Sequence, residues 1–378
     1  MDKKLYGLDH LRAFAICFVF LFHYQVPVFD YPEWLPAIAK FGWTGVDLFF
    51  VLSGFLISSQ LFFQIKNGIE ISFKDFFVKR FFRILPAFWF VTAIYYLFPF
   101  FREREALPPL WKLLTFTQNF DLNLQDFGTF SHAWSLCVEE HFYLLLPLFL
   151  YFLLNATFFK KSYWLLIIFV LLGFVFRFYS WEKLYIPLIE NDNSWLYWYK
   201  YIYYPTYNRL DGLLIGVSIA TLYQFLPELW NKISKYGNLL LIIGLLILFG
   251  AYILCIEERS FYASLFGFPV IGLGYGFVVM GAISPESVLY KWNSKKTTFI
   301  AGLSYGIYLT HKGIIHITQE FLASLNIDTS STFSMLICII TCVGAEYLLH
   351  QIIEKPFMKW RTRFLSERKL LLEFPKMP

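Results

Sequence analysis

Residues 236–256 read YGNLLLIIGLLILFGAYILCI, a run of 21 residues without a charged side chain. A helix rises about 1.5 Å per residue, so about 20 apolar residues cross the hydrocarbon core of a bilayer. The run therefore predicts a membrane-spanning helix. Similar runs recur from one end of the chain to the other, and they decide the fold class.

The composition of the whole chain agrees with a polytopic membrane protein. Of its 378 residues, 58% are apolar and 16% are charged, whereas globular domains have about 25% charged residues. One water-soluble core of this size could not bury so much apolar surface. The composition therefore excludes a soluble enzyme and a nucleic-acid-binding module. The long apolar runs also exclude a membrane β-barrel, whose strands alternate between apolar and polar residues.

Ten segments are apolar and long enough to span a membrane, so the sequence predicts an all-α fold with about ten transmembrane helices. We expect one membrane domain over residues 1–356 and a basic cytoplasmic tail over residues 357–378. The ten segments are 8–28, 43–64, 81–101, 134–155, 162–179, 205–225, 236–256, 261–283, 298–323 and 332–354.

Lysine and arginine residues between these segments indicate the orientation. If the N-terminus lies in the cytoplasm and the helices alternate, 21 of these residues fall on the cytoplasmic side and seven fall outside. Positive charge accumulates on the cytoplasmic side, so both termini are expected there. Two long loops, 102–133 and 180–204, are then outside. Their Trp, Tyr, Asn and Asp residues fit either an interfacial aromatic belt or a lid that faces carbohydrate.

Ionisable side chains inside apolar segments are costly, which makes them candidates for function. Arg12 and His23 are eleven residues apart, so they share one face of the first helix. Such a face is expected to line a cavity, where His23 could act as a general base or bond a neighbouring helix. Asp47 opens the second segment and needs a cationic partner, which could be Arg12 or Arg209.

Basic residues mark the start of the third segment, where Arg80 and Arg83 follow Lys79. A pair of guanidinium groups at this place fits either a bound phosphate or contact with lipid headgroups. The five cysteines lie in or beside apolar segments and predict no disulfide scaffold. His132 and His141 are nine residues apart, which is not a zinc-ligand spacing, and no metal is expected.

The fourth segment carries two adjacent carboxylates, Glu139 and Glu140. Neighbours on a helix point about 100° apart, so one of the two at most is expected to face the bundle interior. Other polar and aromatic side chains at segment starts or in the ninth segment are candidates for substrate binding. These candidates are Trp134, Ser135, Arg209, Asp211, Tyr305 and His311.

Taken together, these motifs resemble the acyltransferase-3 family of integral membrane O-acyltransferases. Arg12 and His23 match its Arg/Lys-x10-His signature, and residues 49–56 (FFVLSGFL) resemble its second-helix motif. Residues 80–83 (RFFR) resemble its R-x-x-R motif, and residues 134–143 (WSLCVEEHFY) resemble its fourth-helix signature. The resemblance covers nearly the whole chain.

The resemblance implies an enzyme that moves an acyl group, in particular acetyl, from cytoplasmic acyl-CoA to a hydroxyl of a cell-surface carbohydrate or glycolipid. Catalytic roles are expected for four residues. The resemblance implies His23 as the base with Arg12 as its companion, Asp47 is expected to line the same cavity, and Glu139 is the better of the two carboxylate candidates. The acyl-CoA contacts are expected at Lys79, Arg80 and Arg83.

The remaining expectations concern location and partners. The family implies a multi-pass protein of the bacterial plasma (inner) membrane, in contact with lipid and not with nucleic acid. No esterase-like domain follows the last segment, so the acyl group is expected to be transferred directly or through a separate extracytoplasmic transferase. The alternative is a transporter or flippase for a glycolipid or small anion, because buried charges also form proton-coupled pathways. The inverted repeats typical of transporters are not visible.

Overall fold

A computed structural model describes residues 5–24, 31–155 and 163–373 of the chain. The elements formed by these residues are helices, and none of the described residues forms a strand. The all-α prediction is confirmed for this part of the protein. Residues 25–28 and 162 of the predicted segments, and residues 374–378 of the predicted tail, lie outside it.

The longer helices of the described chain are labelled α1 to α11. They are α1 (Tyr6–His23), α2 (Gly45–Lys66), α3 (Phe73–Leu97), α4 (Trp134–Asn155), α5 (Tyr163–Tyr179), α6 (Asp211–Phe225), α7 (Gly237–Leu254), α8 (Phe268–Ile283), α9 (Lys295–Ser324), α10 (Thr332–Leu349) and α11 (Lys355–Glu373). Short α-helices cover Leu110–Leu114, Leu124–Phe127, Ser194–Trp198, Pro227–Ile233 and Val288–Lys291. Turns of 3-10 helix cover Ala37–Thr44, Pro99–Phe101, Ser131–Ala133, Ile186–Leu188, Thr206–Asn208 and Ser234–Tyr236. Turns of π-helix cover Ser180–Tyr185, Tyr199–Tyr203, Ala263–Gly267 and His350–Glu354.

Each of the ten predicted segments overlaps one of the helices α1 to α10, with ends that differ by up to eight residues. By length and composition, six helical stretches of the described chain could cross a membrane: Ala37–Lys66, Ser131–Phe152, Trp164–Leu188, Pro227–Leu254, Ala263–Ile283 and Thr332–Ser366. The helix α6 is shorter than its predicted segment because the chain before it forms irregular turns. The number of spans, their orientation and the division at residue 356 stay predictions.

The described chain divides into two compact units. Of the described residues, the first comprises 5–23, 33–69, 104–155 and 163–302. In this unit α2 packs closely against α6, because glycines remove side chains from the contact. A Cβ on Gly54 would overlap the carbonyl oxygen of Leu213, and one on Gly216 would overlap that of Val51.

Of the described residues, the second unit comprises 24, 31–32, 70–103 and 303–373. Serine side chains begin two of its helices in the usual way, because a hydroxyl accepts a hydrogen bond from a free backbone N–H. Ser72 caps α3 and Ser331 caps α10. The helix α11 packs on α3 through Phe82, whose ring lies 6.4 Å from that of Phe357.

Candidate active site

The residues of the predicted catalytic face lie on α1, in the first unit. Arg12 and His23 are both half-buried. Since α1 is continuous between them, they share a face and are separated by about 16 Å along the axis. The ring of His23 lies 6.2 Å from the ring of His132, centroid to centroid. His132 is buried in the turn before α4, so the structure places a second imidazole beside the predicted base.

Asp47 at the start of α2 has Arg209 as its partner. Nη2 of Arg209 donates to Oδ1 at 2.9 Å and to Oδ2 at 3.0 Å. Both side chains are almost completely buried, with exposed fractions of 4% and 0%. The sequence left Arg12 and Arg209 open as partners of Asp47, and the structure shows an ion pair with Arg209. This ion pair ties α2 to the start of α6.

Aromatic rings surround the guanidinium group of Arg209. Its Cζ lies over four ring centroids, at 3.9 Å from Phe268, 4.6 Å from Tyr203, 5.1 Å from Trp134 and 5.9 Å from Trp43. Guanidinium groups are held by ring faces, more strongly when water is excluded. The predicted substrate-binding residues Trp134 and Arg209 thus contact each other inside the protein core.

A second buried ion pair lies at the start of α6. Nη1 of Arg177 is 2.6 Å from Oδ2 of Asp211 and also donates to the backbone oxygen of Asn208. Nε of Arg177 donates to the backbone oxygen of Leu265. Sequence reasoning did not select Arg177, although an arginine in the last turn of an apolar segment is itself a signal. Asp211 is therefore bound by the protein, as Asp47 is.

Glu139 on α4 is held by two hydroxyl groups. Ser53 of α2 donates to Oε1 at 2.9 Å, and Tyr143 donates to Oε2 at 2.9 Å. Glu139 is half-buried, and Ser135 one turn earlier is buried. The carboxylate thus faces the protein, and it joins the fourth-helix motif to the second-helix motif.

His141 is part of a polar cluster formed with the first of the two long loops, 102–133. Its Nδ1 lies 2.8 Å from Oγ1 of Thr206, and its ring stacks on Phe120 at 5.4 Å. The same Thr206 hydroxyl accepts a hydrogen bond of 2.8 Å from the side chain of Asn119. This histidine therefore connects α4, the loop before it and the turn before α6.

The two long loops meet at an ion pair and at a polar cleft. Nζ of Lys200 lies 2.7 Å from Oδ1 of Asp121. Burial acts to lower the pKa of Lys200, but its hydrogen bonds to Asp121 and Tyr201 outweigh this effect and raise the pKa. The cleft has a volume of about 280 Å³. It is lined by Asn123, Gln125, Asn191, Asp192, Asn193, Leu196, Tyr197 and Lys200.

The aromatic residues of the second loop do not all behave as a surface belt. Trp198 is buried, with 1% exposure, and its Nε1 donates to Oγ of Ser264 at 2.8 Å. Tyr197 lines the cleft and stacks on Tyr201, with centroids 6.4 Å apart. The loop is thus a packed structure with one polar, partly aromatic surface.

The predicted acyl-CoA contacts lie on the first turns of α3, in the second unit. Lys79, Arg80 and Arg83 are half-buried. Arg83 is 3.7 Å from Oε2 of Glu354. Arg361 of α11 lies close enough to Arg83 and Arg80 for the three positive charges to repel one another. Such a cluster of guanidinium groups favours a bound anion, and sequence reasoning did not include Arg361 in it.

The other two substrate candidates of the second unit bond to its backbone. The hydroxyl of Tyr305 donates to the carbonyl oxygen of Ile84 at 2.9 Å. Nδ1 of His311 lies 2.8 Å from the carbonyl oxygen of Tyr308, and the side chain is fully buried. The Tyr305 bond joins α9 to α3, whereas the His311 bond lies within α9. A role in substrate binding stays a prediction for both.

Comparison with known proteins identifies the family. A family model described as an acyltransferase domain (Acyl_transf_3) matches residues 5–351. The chain belongs to the acyltransferase-3 family. The resemblance inferred from the motifs is thereby confirmed over more than nine-tenths of the chain.

Two relatives of this acyltransferase-3 protein carry names that describe an activity. The O-acetyltransferase OatA of Staphylococcus aureus (strain NCTC 8325 / PS 47) is 28% identical over 377 residues, 94% of this chain and 58% of the relative. The peptidoglycan O-acetyltransferase OatA of Listeria monocytogenes is 30% identical over 344 residues, 85% of this chain and 51% of the relative. The chain thus spans little more than half the length of these relatives. No solved structure matches it.

Proposed function

We propose that this acyltransferase-3 protein moves an acyl group, in particular acetyl, from acyl-CoA on the cytoplasmic side to a hydroxyl of a cell-surface carbohydrate or glycolipid. The family supports the enzyme class. The names of the two relatives support acetyl as the group and a cell-wall glycan as the acceptor. One geometric observation carries the proposal. The imidazole of His23, on the α1 face that also holds Arg12, lies 6.2 Å from the imidazole of His132 in the turn before α4.

In this proposal His23 is the general base. It takes the proton of the acceptor hydroxyl while the hydroxyl oxygen attacks the carbonyl carbon of the thioester. The tetrahedral intermediate then breaks its C–S bond, and the CoA sulfur leaves with the proton that His23 returns. Arg12 lies about 16 Å along the helix axis from His23, so it is better placed to hold a polar part of the donor than the reacting carbonyl.

The basic cluster of Lys79, Arg80, Arg83 and Arg361 supports a polyphosphorylated donor. Arginine binds phosphate through paired N–H groups. A bound anion also offsets the mutual repulsion of several neighbouring arginines. The count of Lys and Arg residues between segments supports a cytoplasmic position for this cluster. Both features agree with acyl-CoA, which is made in the cytoplasm.

The polar cleft between the two long loops supports a carbohydrate acceptor. Its lining combines amide and carboxyl side chains with the ring of Tyr197, and such a surface offers both donors and acceptors to sugar hydroxyls together with one apolar face. We place the protein in the bacterial plasma membrane, because its relatives are bacterial and its helices are long and apolar.

The test uses the full chain, purified in detergent, with acetyl-CoA labelled in the acetyl group. We expect time-dependent release of free CoA and, with a peptidoglycan oligosaccharide added, an alkali-labile acetyl ester on the sugar. Transfer to the sugar in this purified system indicates a direct reaction, whereas CoA release without it indicates a separate transferase. A transporter would bind or move the label without breaking the thioester.

A matched histidine variant controls this experiment. His23→Ala should abolish CoA release, while His316→Ala, which alters a half-buried histidine of α9 in the second unit, should leave it unchanged. If the wild-type protein releases no CoA, or if His23→Ala releases it at the normal rate, the proposed function is wrong.

A further inference from the structure

Three side chains with metal-binding atoms converge where α10 ends. Glu346, His350 and Glu354 recur every fourth residue, and at this spacing helical residues share a face. One ligand atom of each lies within 4.8 Å of those of the other two. Nδ1 of His350 is 2.8 Å from Oε2 of Glu354. The turn that contains His350 and Glu354 is a π-helix, a local distortion that is frequent at functional sites.

The two carboxylates are buried without enough hydrogen-bond donors. The exposed fraction is 0% for Glu346 and 3% for Glu354. Both side-chain oxygens of Glu346, and Oε1 of Glu354, have no hydrogen-bond partner. A buried carboxylate needs a cation or several donors to offset the loss of water. A bound cation would therefore stabilise the two buried carboxylates of this cluster.

Arg83 does not satisfy this requirement by itself. Its Nη1 is 3.7 Å from Oε2 of Glu354, which is beyond hydrogen-bond distance. Its side chain is 36% exposed, so it meets the cluster from the solvent side. The charge of Arg83 thus acts on both carboxylates without a hydrogen bond to either, and the oxygens of Glu346 are left without a hydrogen-bond donor.

The neighbouring helix α9 is shaped to admit the carboxylate of Glu346. A Cβ added to Gly306 would overlap both oxygens and the Cδ of that carboxylate. Glycine at this position therefore keeps a space that the Glu346 side chain fills. The position of Glu346 is determined by the packing of α9 against α10, and its oxygens are held toward His350 and Glu354.

We propose that Glu346, His350 and Glu354 bind one divalent transition-metal ion, for which Zn²⁺ is the best fit. Imidazole with carboxylates suits zinc and its neighbours, whereas Mg²⁺ and Ca²⁺ prefer oxygen ligands alone. Ligand atoms at about 2.0–2.2 Å from a tetrahedral zinc ion lie about 3.3–3.6 Å apart. The three ligand atoms lie within 4.8 Å of one another, so the widest pair must close by up to about 1.5 Å when zinc binds. Three protein ligands leave a fourth position for water.

Binding at this site exchanges protons for the metal. His350 must present a bare Nδ1 to the metal, so any proton on this nitrogen or on the carboxyl group of Glu354 is released when Zn²⁺ binds. The bound ion neutralises the two buried carboxylates and links α10 to the π-helix. This inference does not rest on the proposed acyl transfer. It revises the sequence-based expectation of no metal, which did not consider the Glu-x3-His-x3-Glu spacing.

The experiment uses the full chain, purified in detergent and treated with a chelator, and its probe is Zn²⁺ alone. After dialysis against Zn²⁺ and removal of loosely bound metal, elemental analysis should find about one zinc ion per chain. Zn²⁺ should also raise the thermal unfolding midpoint of the stripped protein, because a ligand that binds only the folded state stabilises it. A wild-type chain that retains no zinc overturns the proposal, whatever its activity.

Variants locate the bound ion. Glu346→Gln and His350→Gln each remove one ligand and should weaken zinc binding by at least about tenfold. His350 is 32% exposed, so the His350→Gln variant should fold. It therefore tests the site even if Glu346→Gln does not fold. His316→Gln is the matched control, because His316 pairs with Glu320 at the same four-residue spacing at 3.5 Å. Cys17→Ser controls for binding by the more exposed thiol.

The pattern across these variants decides the assignment. The proposal requires loss of zinc binding in His350→Gln with full binding in His316→Gln and Cys17→Ser. Unchanged binding in His350→Gln overturns it, as does loss of binding in either control. Gly306→Ala gives an independent check, because the new methyl group would displace the Glu346 carboxylate and should lower zinc affinity.

Discussion

Asp47 and Arg209 are joined through a single guanidinium nitrogen, Nη2, which donates to both carboxylate oxygens at 2.9 and 3.0 Å. The pair is buried, so removal of the cation leaves an uncompensated carboxylate. We expect Arg209→Met to lower the free energy of unfolding by about 3–5 kcal/mol. Thermal unfolding in detergent measures the effect. The double variant with Asp47→Asn should recover part of the loss, because it removes the stranded charge.

The aromatic surroundings of Arg209 make lysine a poor replacement. Four ring centroids lie within 5.9 Å of its guanidinium carbon, and an ammonium group neither stacks on rings nor donates in the same plane. The Arg209→Lys variant should therefore have a thermal unfolding midpoint well below that of the wild type. Lys291→Met removes an exposed ion pair with Glu286 and should leave the midpoint unchanged. Equal midpoints for Arg209→Lys and the wild type would contradict this account.

The close contact of α2 with α6 gives a second prediction. Gly54→Ala places a methyl group on the carbonyl oxygen of Leu213, so the helices must separate. We expect a loss of about 1–3 kcal/mol in the free energy of unfolding. Gly250→Ala on α7 is the control, since nothing lies within 4 Å of its added Cβ. Alanine there should be neutral or stabilise by up to about 1 kcal/mol. Equal effects of the two changes would exclude close packing as the cause.

The positions of the helices could be read from the sequence because spanning segments are local features. Segment 236–256 corresponds to α7 (Gly237–Leu254) within a few residues, since hydropathy and length set its limits. Glu139 also faces the protein, where Ser53 donates to it, whereas the geometry of adjacent helical residues predicted only that one member of the pair at most would do so.

The partners of the buried charges could not be read in the same way. The sequence left Asp47 with two possible partners, and the choice of Arg209 depends on the packing of α2 against α6. That packing joins residues 162 positions apart. The burial of Glu346 against Gly306 is likewise a contact between two helices, which composition does not reveal. Such pairings follow from tertiary packing, whereas motifs alone predict only which residues need a partner.

The basic cluster of α3 and α11 gives a third prediction. If Arg361 contacts the phosphates of acyl-CoA, Arg361→Gln should raise KM for acetyl-CoA by at least about tenfold, because charge-assisted hydrogen bonds contribute about 1.5–3 kcal/mol. The turnover number should change little, since the contact is the same in the ground and transition states. Steady-state CoA release measures both constants.

Electrostatic and positional controls accompany that variant. The KM of the wild type should rise with salt concentration more steeply than that of Arg361→Gln, because salt screens the contact that the variant lacks. Lys291→Gln removes a charge predicted on the same side of the membrane and should not alter KM. A KM that is equally raised by Lys291→Gln would mean that net charge, and not this cluster, attracts the donor.

Substitution of His23 should lower kcat and leave KM unaltered, which is the opposite of the effect expected for Arg361→Gln. If its imidazole removes the acceptor proton, His23→Gln keeps a polar side chain of similar size but lacks a base, and kcat should fall by about 10²–10⁴. KM for acetyl-CoA should stay near the wild-type value, because the donor contacts are elsewhere. His132→Gln changes the imidazole that lies 6.2 Å away and should lower kcat less if it only orients His23. If kcat falls as much for His132→Gln as for His23→Gln, the two imidazoles act together as the base. If His23→Gln instead raises KM and leaves kcat normal, His23 is a binding residue.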